Sequence, residues 1–371
     1  MLRSTRVHEI LSAELGPAIS RYLPGASETL AMKRTLTTVL PLLAVVAAVA
    51  LVWLGNVDTD KSIQLLNVSY DPTRELFQDL NRQFISKYQR ETGQKVTIKQ
   101  SHGGSSRQAH AVVGGLEADV VSLALPSDIE LLRRQGLVSD GWADRLPNHS
   151  QAYSSTIVFV VRKGNPKGVK DWPDLARPDV SVITPNPKTS GNGKLSLLAA
   201  WGSIIYRGGT EEQARDYLKR LYKNVPVLGT GARDSTITFT QDKIGDVHLT
   251  WENEARFEIE DSQGELEIIY PPVSIRAEPS VAWSDKNVGQ RKTESYAKAY
   301  LQFLYSRAAQ QTIARYGYRP VDPEVLQEYA GRLPAIQLFP VTLMAKDWDN
   351  AEQKFFADNG VFDSIYTPPA K

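Results

Sequence analysis

The chain has 371 residues, with 43 Lys and Arg against 42 Asp and Glu, and no cysteine. That charge balance leaves no global field for drawing in nucleic acid or an acidic polymer. The absent cysteine excludes disulfides, zinc–thiolate sites, iron–sulfur clusters and cysteine nucleophiles. A hydrophobic fraction of 42% is too high for a disordered chain, and the length fits two domains of ordinary size.

Residues 1–60 stand outside the fold argument. Lys33 and Arg34 precede an apolar run from Val39 to Leu54, broken only by Pro41. A basic segment followed by such a run reads as a secretory signal, with Ala48-Val49-Ala50 as a cleavage point. At 16 residues the run is short for a membrane span, although an uncleaved anchor is the alternative. The signal is complete from Met32, so residues 1–31 are expected to reflect a start codon assigned too far upstream.

After residue 60, strand and helix alternate. Ile63–Val68 reads as a buried strand. Asp71-Pro72 starts a helix whose Phe77, Leu80, Phe84 and Tyr88 recur at helical spacing, and Gly93 stops it. Val96–Ile98 is a second strand, residues 109–114 a helix and Ala118–Leu123 a third strand. Further strands are predicted at 157–161, 180–183, 225–228 and 247–251. Helices are predicted at 195–206, 211–222, 236–243, 296–305 and 308–316. This alternation points to α/β sheets with helices on both faces.

Ligands in open α/β sheets bind beyond the carboxyl ends of strands. Four segments fill that position here. Ser69–Thr73 brings the N–H of Asp71 to a helix start. Ser101–Ser106 contains Gly103, Gly104 and Ser105. Thr184–Gly193 carries Ser190, Gly191 and Asn192 ahead of a helix. Gly229–Thr236 carries Ala232, Arg233 and Asp234. Each offers N–H groups and hydroxyls where a helix dipole presents its positive end. None is a P-loop or a dinucleotide-binding glycine motif, so no nucleotide cofactor is expected. The five histidines form no H-x-x-x-H pair, and no metal site is expected.

The residues Leu65–Leu76, Gln100–Ser105, Val182–Gly191 and Thr250–Ala255 resemble the periplasmic sulfate-binding proteins, and the similarity runs from about residue 62 to 366. The resemblance implies a two-lobed class II periplasmic binding protein fold, α/β in class, with a hinge between lobes. Residues 61–155 with 276–371 form one lobe and 156–275 the other. It implies a binding protein of an ABC transporter, monomeric, periplasmic and not an enzyme. Its ligand donors, carried over by motif, are the N–H groups of Asp71 and Ser105 from one lobe. The other lobe supplies the Ser190 hydroxyl, the N–H groups of Gly191, Asn192 and Ala232, and the indole N–H of Trp251. Two departures from the family pattern stand out: Asn192 replaces the second of two glycines, and Asp234 replaces a glycine after Arg233.

An all-donor site suits sulfate, which is fully ionised at neutral pH and only accepts hydrogen bonds. Phosphate keeps a proton that needs an acceptor, and an unmet buried polar group costs about 1–3 kcal/mol. Thiosulfate is the nearest rival ligand, and molybdate, tungstate and chromate share the geometry. Arg233 reads as a structural ion pair with Asp128 or Asp234, and His102 as an orienting loop residue. The rival of another class is a sulfate- or phosphate-ester hydrolase using Ser105 with His102. That pair lacks a third partner. Docking on a chemoreceptor as well as a permease is a third possibility the residues leave open.

Overall fold

The computed structural model describes residues 62–366. The apolar run at 39–54 and the start at Met32 lie outside the described residues. No helix among the described residues is long and apolar enough to cross a membrane.

The first sheet has four strands in the order β9-β3-β1-β2. Its strands are β1 (Ile63–Tyr70), β2 (Val96–Gly103), β3 (Val120–Leu123) and, from much later in the chain, β9 (Ser280–Trp283). β1 runs parallel to β2 and β3, and β9 is antiparallel to β3. Three helices connect or flank these strands: α1 (Arg74–Thr92), α2 (Ser105–Val113) and α3 (Pro126–Arg134). Leu76, Phe77, Leu80 and Phe84 form the buried stripe of α1, and Gly93 closes it at φ 72°, a left-handed value that glycine adopts without steric cost.

The second sheet has five strands in the order β6-β5-β7-β4-β8. These are β4 (Ile157–Arg162), β5 (Val182–Pro185), β6 (Leu228–Gly229), β7 (Val247–Trp251) and β8 (Leu266–Ile269). Its helices are α4 (Gly191–Tyr206), α5 (Glu211–Lys223), α6 (Ala232–Thr240) and α7 (Glu252–Asp261). Every residue of α4 from Gly191 to Ser203 is buried, so this helix is enclosed on all sides rather than lying on the surface.

Two extended segments pass between the sheets side by side. Ser155 and Ala277 exchange backbone hydrogen bonds of 3.2 and 2.9 Å. Thr156 donates its hydroxyl to the Ile275 carbonyl and Ser274 donates to that of Ile157. A third contact is the pairing of Tyr153–Ser154 with Arg319–Pro320. The C-terminal segment packs mainly on the second sheet's side: Phe362 against Tyr222, Phe355 against Trp201, and Asp363 against Lys188. It also touches the first, through Asp349 to Arg134 and Trp348 to Glu278. The lobe boundary expected from the sequence put all of 276–371 with the first sheet; residues 337–366 contact both.

The helices α2, α4 and α6 begin four residues earlier than the apolar spacing predicts: 105 against 109, 191 against 195, and 232 against 236. Glycine, serine and asparagine are weak helix formers and carry no apolar period. In a first turn they are tolerated, because those N–H groups have no partner within the helix. The C-terminal ends of three of the segments read as loops are therefore helical first turns. The strand predicted at 225–228 shrinks to Leu228–Gly229, and Pro226 explains why. The helix at 126–134 and the strands at 266–269 and 280–283 carry no motif that the periodicity singled out.

Candidate functional site

All seven donor residues expected from the sequence line one small cavity of about 10 Å³, together with Tyr70, Pro72, Gly103 and Gly104. It lies between the two sheets, at the carboxyl ends of β1, β2, β5, β6 and β7. The volume is far below the roughly 300–1,000 Å³ of a pocket for a drug-sized ligand, and a nucleotide does not fit. A larger, open depression lined by Arg145, Trp283, Asp285 and Lys298 lies elsewhere on the first sheet's side. Its charges are already matched, Arg145 to Asp285 and Lys298 to Glu294.

Trp251 is fully buried, and its indole nitrogen has no hydrogen-bond partner among the described residues. An indole N–H only donates. Its ring is held at 5.3 Å from that of Tyr70, so the donor is fixed by packing at the cavity edge. A buried donor with no protein acceptor costs about 1–3 kcal/mol unless something else accepts from it.

Ser190 has a divided hydroxyl. As N-cap of α4 it accepts from the Gly193 N–H at 3.4 Å, and no acceptor for its own proton is present among the described residues. Gly191 and Asn192 follow in the first turn, where N–H groups lack a carbonyl four residues back. The Asn192 carboxamide donates to the Leu249 carbonyl at 3.0 Å. Its backbone is in the ordinary negative-φ region, so the change from glycine introduces no strain there.

On the opposite wall, Ser105 begins α2 and is 1% exposed. Its hydroxyl donates to Asp128 Oδ2 at 2.5 Å and accepts from the Ala124 N–H at 2.9 Å. The sequence suggested that Ser105 could donate from both hydroxyl and N–H; the hydroxyl is committed, and only the N–H remains. The Asp71 carboxylate does not cap α1 as its position suggested. Asp71 opens a single 3₁₀ turn, and its carboxylate reaches across to Gly231 and lies 4.0 Å from Arg74. Burial raises the Asp71 pKa, against the pull of Arg74, Arg107 and Arg233.

The charged groups around the cavity are matched to each other. Arg233 pairs with Glu75 at 2.7 Å and with Glu254 at 2.7 Å, not with Asp128 or Asp234 as the sequence suggested. Burial opposes the Arg233 charge, but Glu254 and Glu75 outweigh it and its pKa rises. Burial raises the Glu254 pKa, and the Arg233 guanidinium pulls it back down. Asp234 turns back into its own loop and accepts from the N–H and hydroxyl of Thr230. Lys194, 3% exposed, pairs with Glu352 at 2.8 Å and approaches Asp128 at 3.8 Å. His102 bonds to Ser69 Oγ at 2.8 Å and to Gln100. Burial, reinforced by Arg74, lowers His102 to about 4, so it is neutral at pH 7. Its ring therefore meets Ser69 and Gln100, while the Ser105 hydroxyl meets Asp128 and Ala124. Among the described residues no group of three or more His, Asp or Glu could hold a metal ion.

Sequence reasoning missed Ala124, Tyr70, Pro72, Lys194, Glu75 and Glu254. Ala124 directly follows β3 and precedes a Pro126 helix start, the same strand-to-helix pattern as the four segments singled out, but it lacks their glycine and hydroxyl chemistry.

A bacterial extracellular solute-binding protein family profile matches residues 69–319. A sulfate-binding protein of Salmonella typhimurium is 47% identical over 307 residues, covering 82% of this chain and 93% of the relative. A thiosulfate-binding protein of Pseudomonas aeruginosa is 46% identical over 306 residues, covering 82% and 92%. Among solved structures, a sulfate-binding protein from Mycobacterium tuberculosis superposes with a TM-score of 0.73 at 29% identity, covering 79% of this chain and 99% of that one. A fructose-6-phosphate-bound periplasmic binding protein of Actinobacillus pleuropneumoniae, at TM-score 0.58 and 17% identity, shares the fold alone.

Proposed function

The chain belongs to the bacterial extracellular solute-binding proteins, and from that premise we propose that it captures sulfate outside the cytoplasmic membrane and hands it to an ABC transporter permease. The observation that carries this reading is the Trp251 indole N–H, buried without an acceptor among the described residues at the wall of a small cavity that Asp71, Ser105, Ser190, Gly191, Asn192 and Ala232 also line. The cavity supplies donors that belong to no one else, and sulfate supplies acceptors and nothing but acceptors.

In this reading the first turns of α2, α4 and α6 direct their N–H groups at the anion, where the helix dipoles favour negative charge. The Ser190 proton and the Trp251 N–H complete the shell. Asp71 and Ser105 bind from one lobe and the other five residues from the second, so the anion bridges the lobes and stabilises the closed state. Nearby cations do not serve as counter-ions: Arg233 and Lys194 are matched to carboxylates, and His102 is neutral. Phosphate is disfavoured because Asp234, one of the two acidic residues in the cavity loops, is spent on Thr230. The export segment, the periplasmic location, the single-chain state and the permease partner belong to this same proposal, as does the absence of enzymatic turnover.

Thiosulfate is the second reading, favoured by the close similarity to a thiosulfate-binding protein. The test is calorimetric titration of the segment from Thr59 onward with sulfate, thiosulfate and phosphate at pH 7, after unfolding and refolding to strip carried-over anion. Tight sulfate binding with no phosphate heat supports the proposal. Thiosulfate binding far tighter than sulfate assigns the second reading. Phosphate binding as tight as sulfate refutes the donor-only site.

A further inference from the structure

Three glycines meet the opposite wall of the cleft more closely than any side chain could. A Cβ on Gly191 would lie 2.5 Å from the Ala124 Cβ and 3.3 Å from the Ser105 Cβ. A Cβ on Gly104 would lie 2.4 Å from the Thr189 carbonyl oxygen and 3.0 Å from that of Thr230. A Cβ on Gly231 would lie 2.4 Å from Asp71 Oδ2. All three contacts join a residue on the first sheet's side to one on the second's. Gly104 and Gly191 line the cavity that the proposed ligand occupies, and Gly231 adjoins Ala232, which also lines it.

None of these glycines is required by its own backbone. Gly104 has φ −58° and ψ 134°, and Gly231 has φ −158°, both open to any residue. Gly191 opens α4 and is not among the glycines with positive φ. The reason for glycine therefore lies across the cleft, where a missing methyl permits close approach.

We propose that Gly191 and Ala124 form the stop that fixes how far the two lobes close, and so select the oxyanion by size. The inference rests on the sulfate reading. The anion is gripped from both walls, and the gap between them is set where the glycines meet the opposite wall. A methyl at residue 191 holds the walls apart, and the donors on one side can no longer reach a small tetrahedral anion. Molybdate has longer metal–oxygen bonds than the S–O bonds of sulfate, and it spans a wider gap. The interior is too closely packed to absorb the extra methyl without displacement.

The experiment is titration of wild type, Gly191→Ala and the swap Gly191→Ala/Ala124→Gly with sulfate and with molybdate, alongside thermal melts without anion. Gly191→Ala keeps the N–H and clashes only on closure, so the anion-free melting temperature stays at the wild-type value. Sulfate affinity falls by about ten- to hundredfold, the scale of one overpacked methyl. Molybdate affinity falls by less, so the sulfate-to-molybdate ratio shifts by about fivefold or more. The swap moves the methyl across the cleft and restores sulfate affinity to within about threefold. Gly104→Ala, facing carbonyls instead of a methyl, is the second variant and gives the same shift in ratio. Equal losses for both anions, or a folded swap that fails to recover sulfate, overturn the stop. A wild type that does not bind sulfate at all refutes the underlying function instead.

Discussion

Replacing Trp251 by phenylalanine separates a binding role from a packing role. The residue is fully buried at the end of β7, and its nitrogen has no partner among the described residues. If the N–H binds an anion, its loss removes a hydrogen bond to a charged acceptor, about 1.5–3 kcal/mol. That is roughly a ten- to 150-fold rise in Kd. The anion-free protein responds differently. It loses three ring atoms of buried contact, about 2 kcal/mol. It also loses an unpartnered buried donor, whose presence costs about 1–3 kcal/mol. The tilted ring contact with Tyr70 at 5.3 Å is largely kept by a phenyl ring. The two terms oppose each other, so anion-free stability stays within about 1–2 kcal/mol of wild type. Calorimetric titration reads the first quantity and chemical denaturation without anion the second. A variant that binds sulfate within threefold of wild type, with its fold intact, sinks the claim that the indole N–H reaches the ligand. A variant destabilised by far more than 2 kcal/mol would return Trp251 to the ordinary role of a core aromatic.

Three further outcomes are expected. Ser190→Ala removes a donor to the anion and a weak N-cap contact together, and should weaken sulfate by about 1–3 kcal/mol; unchanged affinity by titration would take Ser190 out of the site. Glu75→Gln breaks the Arg233 pair across the cleft. Both partners are partly exposed, so the contribution is below about 1 kcal/mol and appears as a severalfold faster sulfate release in stopped flow at low salt, fading as salt rises. His102 has a folded pKa depressed to about 4 from 6.5, so the unfolded chain takes up its proton first on acidification. Its contribution is fully present above pH 6.5, is lost as pH falls toward 4, and is level below that. Denaturation curves of wild type and His102→Gln between pH 7 and 4 test it: the variant should lose less stability over that range, and parallel curves would discard the assignment.

The residues that line the cavity were legible because the proposed backbone donors need helix starts, and helix starts have sequence markers. Gly-Ser and Ser-Gly-Asn-Gly stretches after apolar strands pointed to Ser105, Ser190 and Gly191 before any geometry was available. Their first-turn position was not legible, since apolar periodicity begins only where the helix meets the core, at Leu195 in α4 and at Ala109 in α2. Charge partners were the weakest part. Arg233 lies beside Asp234 in the chain, yet its partners are Glu75, 158 residues away, and Glu254. Sequence neighbours compete with every group that the fold brings near, and a buried guanidinium takes the partners that satisfy its fork. Ala124 carried no chemical mark at all, because its role depends only on a methyl meeting a glycine.

The separation of charge from the ligand shell has a consequence for discrimination. A free arginine in the cavity would attract any small anion, protonated or not. Here Arg233 is matched by two glutamates and Lys194 by Glu352, with Asp128 nearby. What remains for the proposed ligand is a set of dipoles with fixed directions, each worth little alone and useful only when an acceptor stands where it points. Such a shell rewards the number and placement of acceptors rather than charge. It therefore favours a fully ionised tetrahedron over chloride, which cannot fill the shell, and over hydrogen phosphate, which turns one oxygen into a donor. The same dipoles ask for no counter-ion to be rehydrated when the cleft opens, so the anion can leave at a partner's surface once the lobes part.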